Sequence, residues 1–83
     1  MAAEESPSGP DAETLAQRAA DHLALALEEV GFDVGVAFPG LHSALDKSGA
    51  PIVHLGHVNC GVASDLSAFL ADAVRLGIAL PPR

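Results

Sequence analysis

Three side chains able to ligate a transition metal recur at every third position in the segment His54-Leu55-Gly56-His57-Val58-Asn59-Cys60. Imidazole nitrogen and thiolate sulfur are donors that zinc and nickel accept. His42 supplies a fourth ligand if the intervening loop folds back. However, His54 and His57 would lie on opposite faces of an uninterrupted strand. The spacing therefore leaves two alternatives: a zinc or nickel site at these four residues, or two ordinary histidines at a strand end.

Cys60 also stands at the expected N-terminus of a helix, where the helix macrodipole stabilises a thiolate. His57 is close enough in sequence to act as its base, but no third group is marked to orient the pair. A free cysteine more commonly packs as a small hydrophobe. Thiol chemistry is therefore the last of the functional alternatives, and we expect a protein that is not an enzyme and has no cofactor.

Two amphipathic helices flank these residues. Apolar residues recur at helical spacing over residues 12–30, after a candidate N-cap at Asp11 and before a glycine stop at Gly31. A second helical pattern follows the candidate N-cap Asn59 and ends at Gly77. The first apolar stripe comprises Leu15, Ala19, Leu23, Ala26, Leu27 and Val30, and the second comprises Val62, Leu66, Phe69, Leu70, Ala73 and Leu76.

Two short strands are predicted between the helices. Residues 32–38 alternate large apolar residues with small or acidic ones, which is typical of a half-buried strand. The stretch from Pro39 to Pro51 reads as a loop with one helical turn over residues 41–45. Residues 52–56 form the second strand, which we expect to pair antiparallel with the first.

The predicted fold class is α+β: a small helix-strand-strand-helix domain with an antiparallel hairpin over residues 11–80. Residues 1–10 are predicted to be a disordered N-terminal tail and residues 81–83 a short C-terminal tail. A lone hairpin is marginal in water, so we expect two copies to join their strands into a four-stranded sheet as a homodimer. The predicted interaction surface contains Gly35, Ala37, Phe38 and Leu41, and three binding modes are open: the sheet edge, the strand face that Gly35 and Ala37 leave almost bare, and the loop from Pro39 to Pro51.

The net charge of the chain restricts the classes of partner that it can bind. Eleven acidic residues against four Lys and Arg residues give a net charge of −7, so no basic patch is available to neutralise phosphates or anionic lipids. We therefore expect no nucleic-acid or membrane binding, and a basic protein is the favoured type of foreign partner. The single cysteine and the acidic N-terminus, where a signal peptide would be basic, favour a reducing cytoplasm.

The run PIVHLGHVNCGVASDLSAFLA, residues 51–71, resembles the C-terminal part of small uncharacterised proteins of high-GC actinobacteria. Those proteins combine an Ala/Leu-rich first helix with a later pattern of an apolar pair, Leu-Gly, Asn and an Ala/Leu-rich helix. The similarity covers residues 15–31 and 51–70, and His54 stands where that pattern has an acidic residue. The resemblance implies a bacterial cytoplasmic setting and brings no activity with it.

These observations predict a small acidic, self-associating protein-interaction or regulatory accessory module without catalytic activity. The alternative is a metal-binding or metal-sensing domain that uses His54, His57 and Cys60, with His42 as a further ligand.

Overall fold

The computed structural model describes residues 11–82, which form three helices and one two-stranded sheet. The predicted tail at residues 1–10 lies outside the described residues. The elements are α1 (Ala12–Val30), α2 (Val34–Ala37), β1 (His42–Leu45), β2 (Pro51–His54) and α3 (Cys60–Arg75). The α+β class and the helix-strand-strand-helix order are confirmed, with the short α2 as an additional element.

Both ends of α1 are fixed by local hydrogen bonds. The carboxylate of Asp11 accepts from the Thr14 N–H at 2.9 Å, which satisfies one of the free donors of the first turn. Gly31 has a φ of 127°, and its N–H donates to the carbonyls of Leu27 and Glu28. The bounds predicted from the sequence are therefore confirmed.

The buried stripe of α1 differs in phase from the predicted one. Leu27 is buried and Leu23 is half-buried, as expected, but Ala16 and Ala20 are buried where Leu15 and Ala19 were predicted. Small alanines let the sheet approach the helix closely, because their side chains add little bulk. α1 accordingly packs against both strands.

The strand predicted at residues 32–38 is wrong, because this segment forms α2. The Asp33 carbonyl accepts from the N–H groups of Val36 and Ala37, and the Phe38 N–H donates to the Val34 carbonyl. A period-two pattern contains the i, i+4 pair Val34 and Phe38, so it is also compatible with one helical turn. In a strand Val36 would share the buried face of Val34 and Phe38, but in the helical turn it lies on a different side and is 74% exposed.

The segment predicted as a loop with a helical turn instead contains β1, which is a second correction. β1 pairs antiparallel with β2, with Ser43 opposite Val53 and Ala44 opposite Ile52. The antiparallel pairing of the second predicted strand is confirmed, but its partner lies after residue 40 and not before it.

An aspartate closes the turn between the strands. Asp46 Oδ1 accepts from the Ser48 N–H, the Ser48 hydroxyl and the Ala50 N–H at 2.7–2.9 Å. Gly49 supplies the left-handed conformation that this turn requires, with a φ of 86°. The turn therefore holds β1 and β2 in register.

At the open end of the hairpin, two glycines bring the backbone into close contact. A Cβ added to Gly56 would lie 2.5 Å from the Gly40 Cα, and one added to Gly40 would lie 2.8 Å from the Gly56 Cα. Real Cβ atoms do not approach backbone so closely. The hairpin can therefore close here only because both positions lack a side chain.

The core is small and lies between α1, α2 and the start of α3. Leu27, Ala37 and Phe38 are buried at its centre, and the Phe32 ring meets the Phe38 ring edge to face at 5.4 Å. Partly buried apolar side chains surround them: Leu23, Val34, Leu41, Val58, Val62 and Leu66.

The caps of α3 match the prediction. Asn59 Oδ1 accepts from the Val62 N–H at 2.8 Å. At the other end, Gly77 has a φ of 85° and the Ile78 N–H donates to the Ala73 carbonyl, the hydrogen bond of a Schellman stop. None of the α3 residues is fully buried, so this helix is defined by its own caps more than by its packing.

Candidate interaction site

Two of the four predicted metal ligands lie side by side in the hairpin. His42 is opposite His54 in the strand register, and their rings stack with centroids 4.9 Å apart and planes 24° from parallel. His42 Nδ1 lies 2.7 Å from the Gly40 carbonyl oxygen. Because a carbonyl only accepts, Nδ1 carries the proton, and in the neutral ring Nε2 is left as an acceptor.

The other two predicted ligands do not join this pair. His57 and Cys60 are both exposed, His57 after the hairpin and Cys60 as the first residue of α3. Among residues 11–82, no three or more His, Cys, Asp and Glu side chains are grouped so that they could hold one metal ion. The structure thus assembles a histidine pair where the sequence predicted a four-residue cluster.

The predicted interaction residues also fall into different environments. Ala37 is 6% exposed and Phe38 is 4% exposed, so both belong to the core and are not accessible to a partner. Leu41 is half-buried against that core, and only Gly35 is exposed. Since the expected strand is a helix, the surface predicted from it is absent at these residues.

A large apolar surface lies instead on the C-terminal half of α3 and the segment that follows. It includes side chains that are 45–84% exposed, with Leu70 at 54% and Val74 at 64%. We define the α3 apolar surface as the large apolar residues that line one common groove: Phe69, Leu70, Val74, Ile78 and Leu80. Contiguous apolar patches of this kind on small proteins mark contact sites.

Two shallow grooves meet on this surface at Leu70. The C-terminal groove, of about 430 Å³, lies between α3 and the segment after it and is lined mainly by Phe69, Leu70, Val74, Ile78 and Leu80. The hairpin groove, of about 350 Å³, lies between α3 and the core and is lined mainly by Phe38, Leu55, Val58, Leu66 and Leu70. Both are built almost entirely of apolar side chains.

The charged side chains of α3 lie away from these grooves. Asp65, Asp72 and Arg75 share the side of the helix opposite Leu70 by helical spacing. Arg75 pairs with Asp72 there, one turn away on the same exposed side. The two grooves themselves are therefore free of charge that burial would have to desolvate, whereas Asp65 lies beside Phe69 in a separate groove next to Val30 and Phe32.

Comparison with known proteins identifies no matching family model, no similar curated protein and no similar solved structure. Within the described part of the chain, none of the helices is long and apolar enough to span a lipid bilayer.

One signal in the sequence pointed to the α3 apolar surface. Val74 extends the apolar stripe beyond the face predicted for it, and apolar residues continue at Ile78 and Leu80 past the glycine stop at Gly77. A helix that packs on one side only needs a narrower stripe. A stripe this broad indicates a second contact face.

Proposed function

We propose that this protein is a non-catalytic interaction module that binds another polypeptide through the α3 apolar surface. The observation that supports the proposal most is the exposure of five large apolar side chains around one groove on a capped helix and its extension. Burial of this apolar area would stabilise a complex by about 25 cal/mol per Å², before the entropic and desolvation costs of binding are subtracted.

The placement of α3 supports the same proposal. α1 packs extensively on β1 and β2, whereas within residues 11–82 no comparably extensive packing involves α3. Val62 and Leu66 attach the first turns of α3 to the core, and the later turns extend beyond it. A helix attached at one end and apolar at the other is suited to dock against a second chain.

The direct test is site-specific photocrosslinking in the native host. p-Benzoylphenylalanine at Val74, which is 64% exposed, should give a discrete protein adduct. The matched control is the same residue at Leu25, which is 57% exposed on α1 and lines none of the grooves described above. A discrete adduct from position 74 and none from position 25 is expected; adducts from neither position contradict the proposal.

A second candidate function is the binding of a zinc or nickel ion, and the observation that favours it is the pairing of His42 with His54. Ligating histidines usually donate their other ring N–H to a carbonyl or carboxylate, as His42 does to Gly40. The lone pairs of stacked rings point side by side, so His54 must rotate before both nitrogens can reach one ion. Solvent or a second chain would supply the remaining ligands.

Isothermal titration of tag-free protein with Zn²⁺ and Ni²⁺ tests this candidate. Binding is expected to disappear in His42→Ala and to persist in His57→Ala and in the control His22→Ala, which changes an exposed histidine on α1. Loss in His57→Ala as well would support the four-residue site predicted from the sequence. No binding by the unmodified protein would exclude both metal sites.

A further inference from the structure

We infer that the polypeptide bound at the α3 apolar surface is a second copy of this chain, with the two α3 helices antiparallel about a two-fold axis beside Leu70. This inference rests on the proposed function and names its partner. It differs from the dimer predicted from the sequence, in which the strands of two copies would join.

The two grooves are arranged so that each can receive the other. They lie on opposite sides of Leu70, the C-terminal groove toward Leu80 and the hairpin groove toward Leu55. A two-fold axis perpendicular to the helix at Leu70 places the C-terminal groove of one copy on the hairpin groove of the other. The contact is thus isologous, the symmetry most common among protein dimers.

The exposed area is of the size that a stable dimer needs. Large apolar side chains carry on the order of 150–200 Å² each, so the exposed fractions of the five that form the surface amount to roughly 550 Å². Stable interfaces bury roughly 600–1,000 Å² from each partner. Leu55, which is 51% exposed at the edge of the hairpin groove, adds to the area.

The antiparallel orientation suits the position of the core on α3 better than the parallel one. With parallel helices, each groove would face its own counterpart, and the two cores, which pack against Val62 and Leu66 in the first turns of α3, would lie side by side at the same end of the pair. The antiparallel pair places the two cores at opposite ends, and it also sets the helix macrodipoles head to tail. Leu66 of one copy then lies near Val74 of the other, and Leu70 lies near its own counterpart.

The net charge of the chain predicts how the strength of dimerisation depends on salt concentration. Each copy carries a net charge of −7, so two copies repel one another at long range. The surface that joins them is apolar, so salt screens the repulsion without breaking an ion pair across it. The Debye length falls from about 10 Å at 0.1 M salt to about 3 Å at 1 M, and dimerisation should therefore strengthen over that range.

Other occupants fit the surface less well. Residues 1–10 contain no large apolar residue after Met1, so they cannot fill two apolar grooves. An anionic lipid surface would be repelled by a chain of this charge. A foreign protein with an amphipathic helix remains as an outcome of the test.

Sedimentation velocity and native mass spectrometry of the full chain test the inference. We expect a dimer at micromolar concentration that tightens with salt. Leu70→Glu should weaken it about 100-fold or more, because two carboxylates would meet at the axis. The control Leu25→Glu changes an equally exposed leucine on α1 and should leave the dimer intact, and circular dichroism should show that both variants fold.

Cysteine crosslinking tests the orientation. In a Cys60→Ser background, Leu70→Cys should form a disulfide with its counterpart when diamide oxidises the two thiols, because residues on a two-fold axis face themselves. Val74→Cys should not crosslink to itself but should crosslink to Leu66→Cys in a mixed sample. Efficient self-crosslinking at position 74 would overturn the antiparallel arrangement.

The outcomes separate this inference from the proposed function. A monomer that still gives a Val74 adduct with a different protein overturns the self-pairing and leaves the interaction module. A monomer without any adduct overturns both. A dimer that is unaffected by Leu70→Glu overturns this inference and supports the strand-joined dimer predicted from the sequence.

Discussion

The first half of this domain and its last helix have similar apolar residues but differ in how many of them are buried. The α1–hairpin half, residues 11–54, buries Ala16, Ala20, Leu27, Ala37 and Phe38, whereas none of residues 58–80 is buried to that extent. Both parts contain a capped amphipathic helix. The difference shows that caps and apolar periodicity suffice to define a helix, but that burial of its apolar side depends on what else packs there.

The largest expected effect compares one phenylalanine from each half. Phe38→Ala should lower the free energy of unfolding by about 3–5 kcal/mol, since Phe38 is 4% exposed and its loss leaves a cavity. In the dilute monomer, Phe69→Ala should lower the free energy of unfolding by less than about half of that amount, because Phe69 is 45% exposed. Urea unfolding followed by circular dichroism measures both. Equal losses would show that α3 is as firmly integrated as α2.

A pair of glycines with similar backbone angles provides the next test. Gly56→Ala should destabilise the fold by about 3 kcal/mol, because φ is 75° and the new Cβ would meet the Gly40 backbone. Gly77→Ala, with a φ of 85° and no atom within 4 Å of its Cβ, should cost only about 1 kcal/mol. Thermal melts of the two variants give the comparison. If Gly77→Ala proved the worse, the close approach at Gly40 would have little energetic role.

The N-cap of α3 tests whether that helix opens by itself. Asn59→Ala removes the acceptor for the Val62 N–H. The substitution should lower the stability of α3 by about 1 kcal/mol and leave the rest of the fold unchanged. Hydrogen exchange by mass spectrometry should show faster exchange in α3 and unchanged exchange in β1 and β2. Faster exchange throughout would mean that the two halves unfold as one unit.

The smallest effect concerns acid and the hairpin turn. Hydrogen bonds from the Ser48 hydroxyl and the Ala50 N–H lower the pKa of Asp46 from its ordinary value of 3.8. The charged carboxylate therefore stabilises the fold fully above that value, and the contribution is lost as the pH falls through the lower folded-state pKa.

Asp46→Asn should accordingly flatten the loss of stability below pH 3.8. Some slope should persist, because the Thr14 N–H likewise lowers the pKa of Asp11. Thermal melts across the acid range provide the measurement. An unchanged slope in the variant would show that the turn carboxylate has no part in acid unfolding.

The elements that the sequence predicted correctly are those with local signals. Asp11 and Asn59 bond to an N–H three residues later, and Gly31 and Gly77 adopt conformations that other residues avoid. The errors lie at residues 32–38 and 41–45, where the pattern suited more than one structure. A period-two run such as 32–38 becomes a strand only if a partner strand is available. Here β2 pairs with β1, which follows this run in the chain, so the run has no partner strand.

The candidate site divides in the same way. The sequence marked His42 and His54, but only the hairpin register made them neighbours, and it left His57 and Cys60 apart. The apolar side of α3 was also evident, although its burial was expected. The Leu70 and Val74 side chains remain exposed because the small core around Phe38 reaches only the first turns of α3.

The sequence by itself thus determined the two long helices, their ends and the α+β class, since capping and periodicity act over three or four residues. The tertiary structure alone decided which segment pairs with β2, which histidines meet and which apolar face stays open. Those outcomes depend on contacts between residues far apart in the chain, where competing partners have similar local preferences and packing chooses among them.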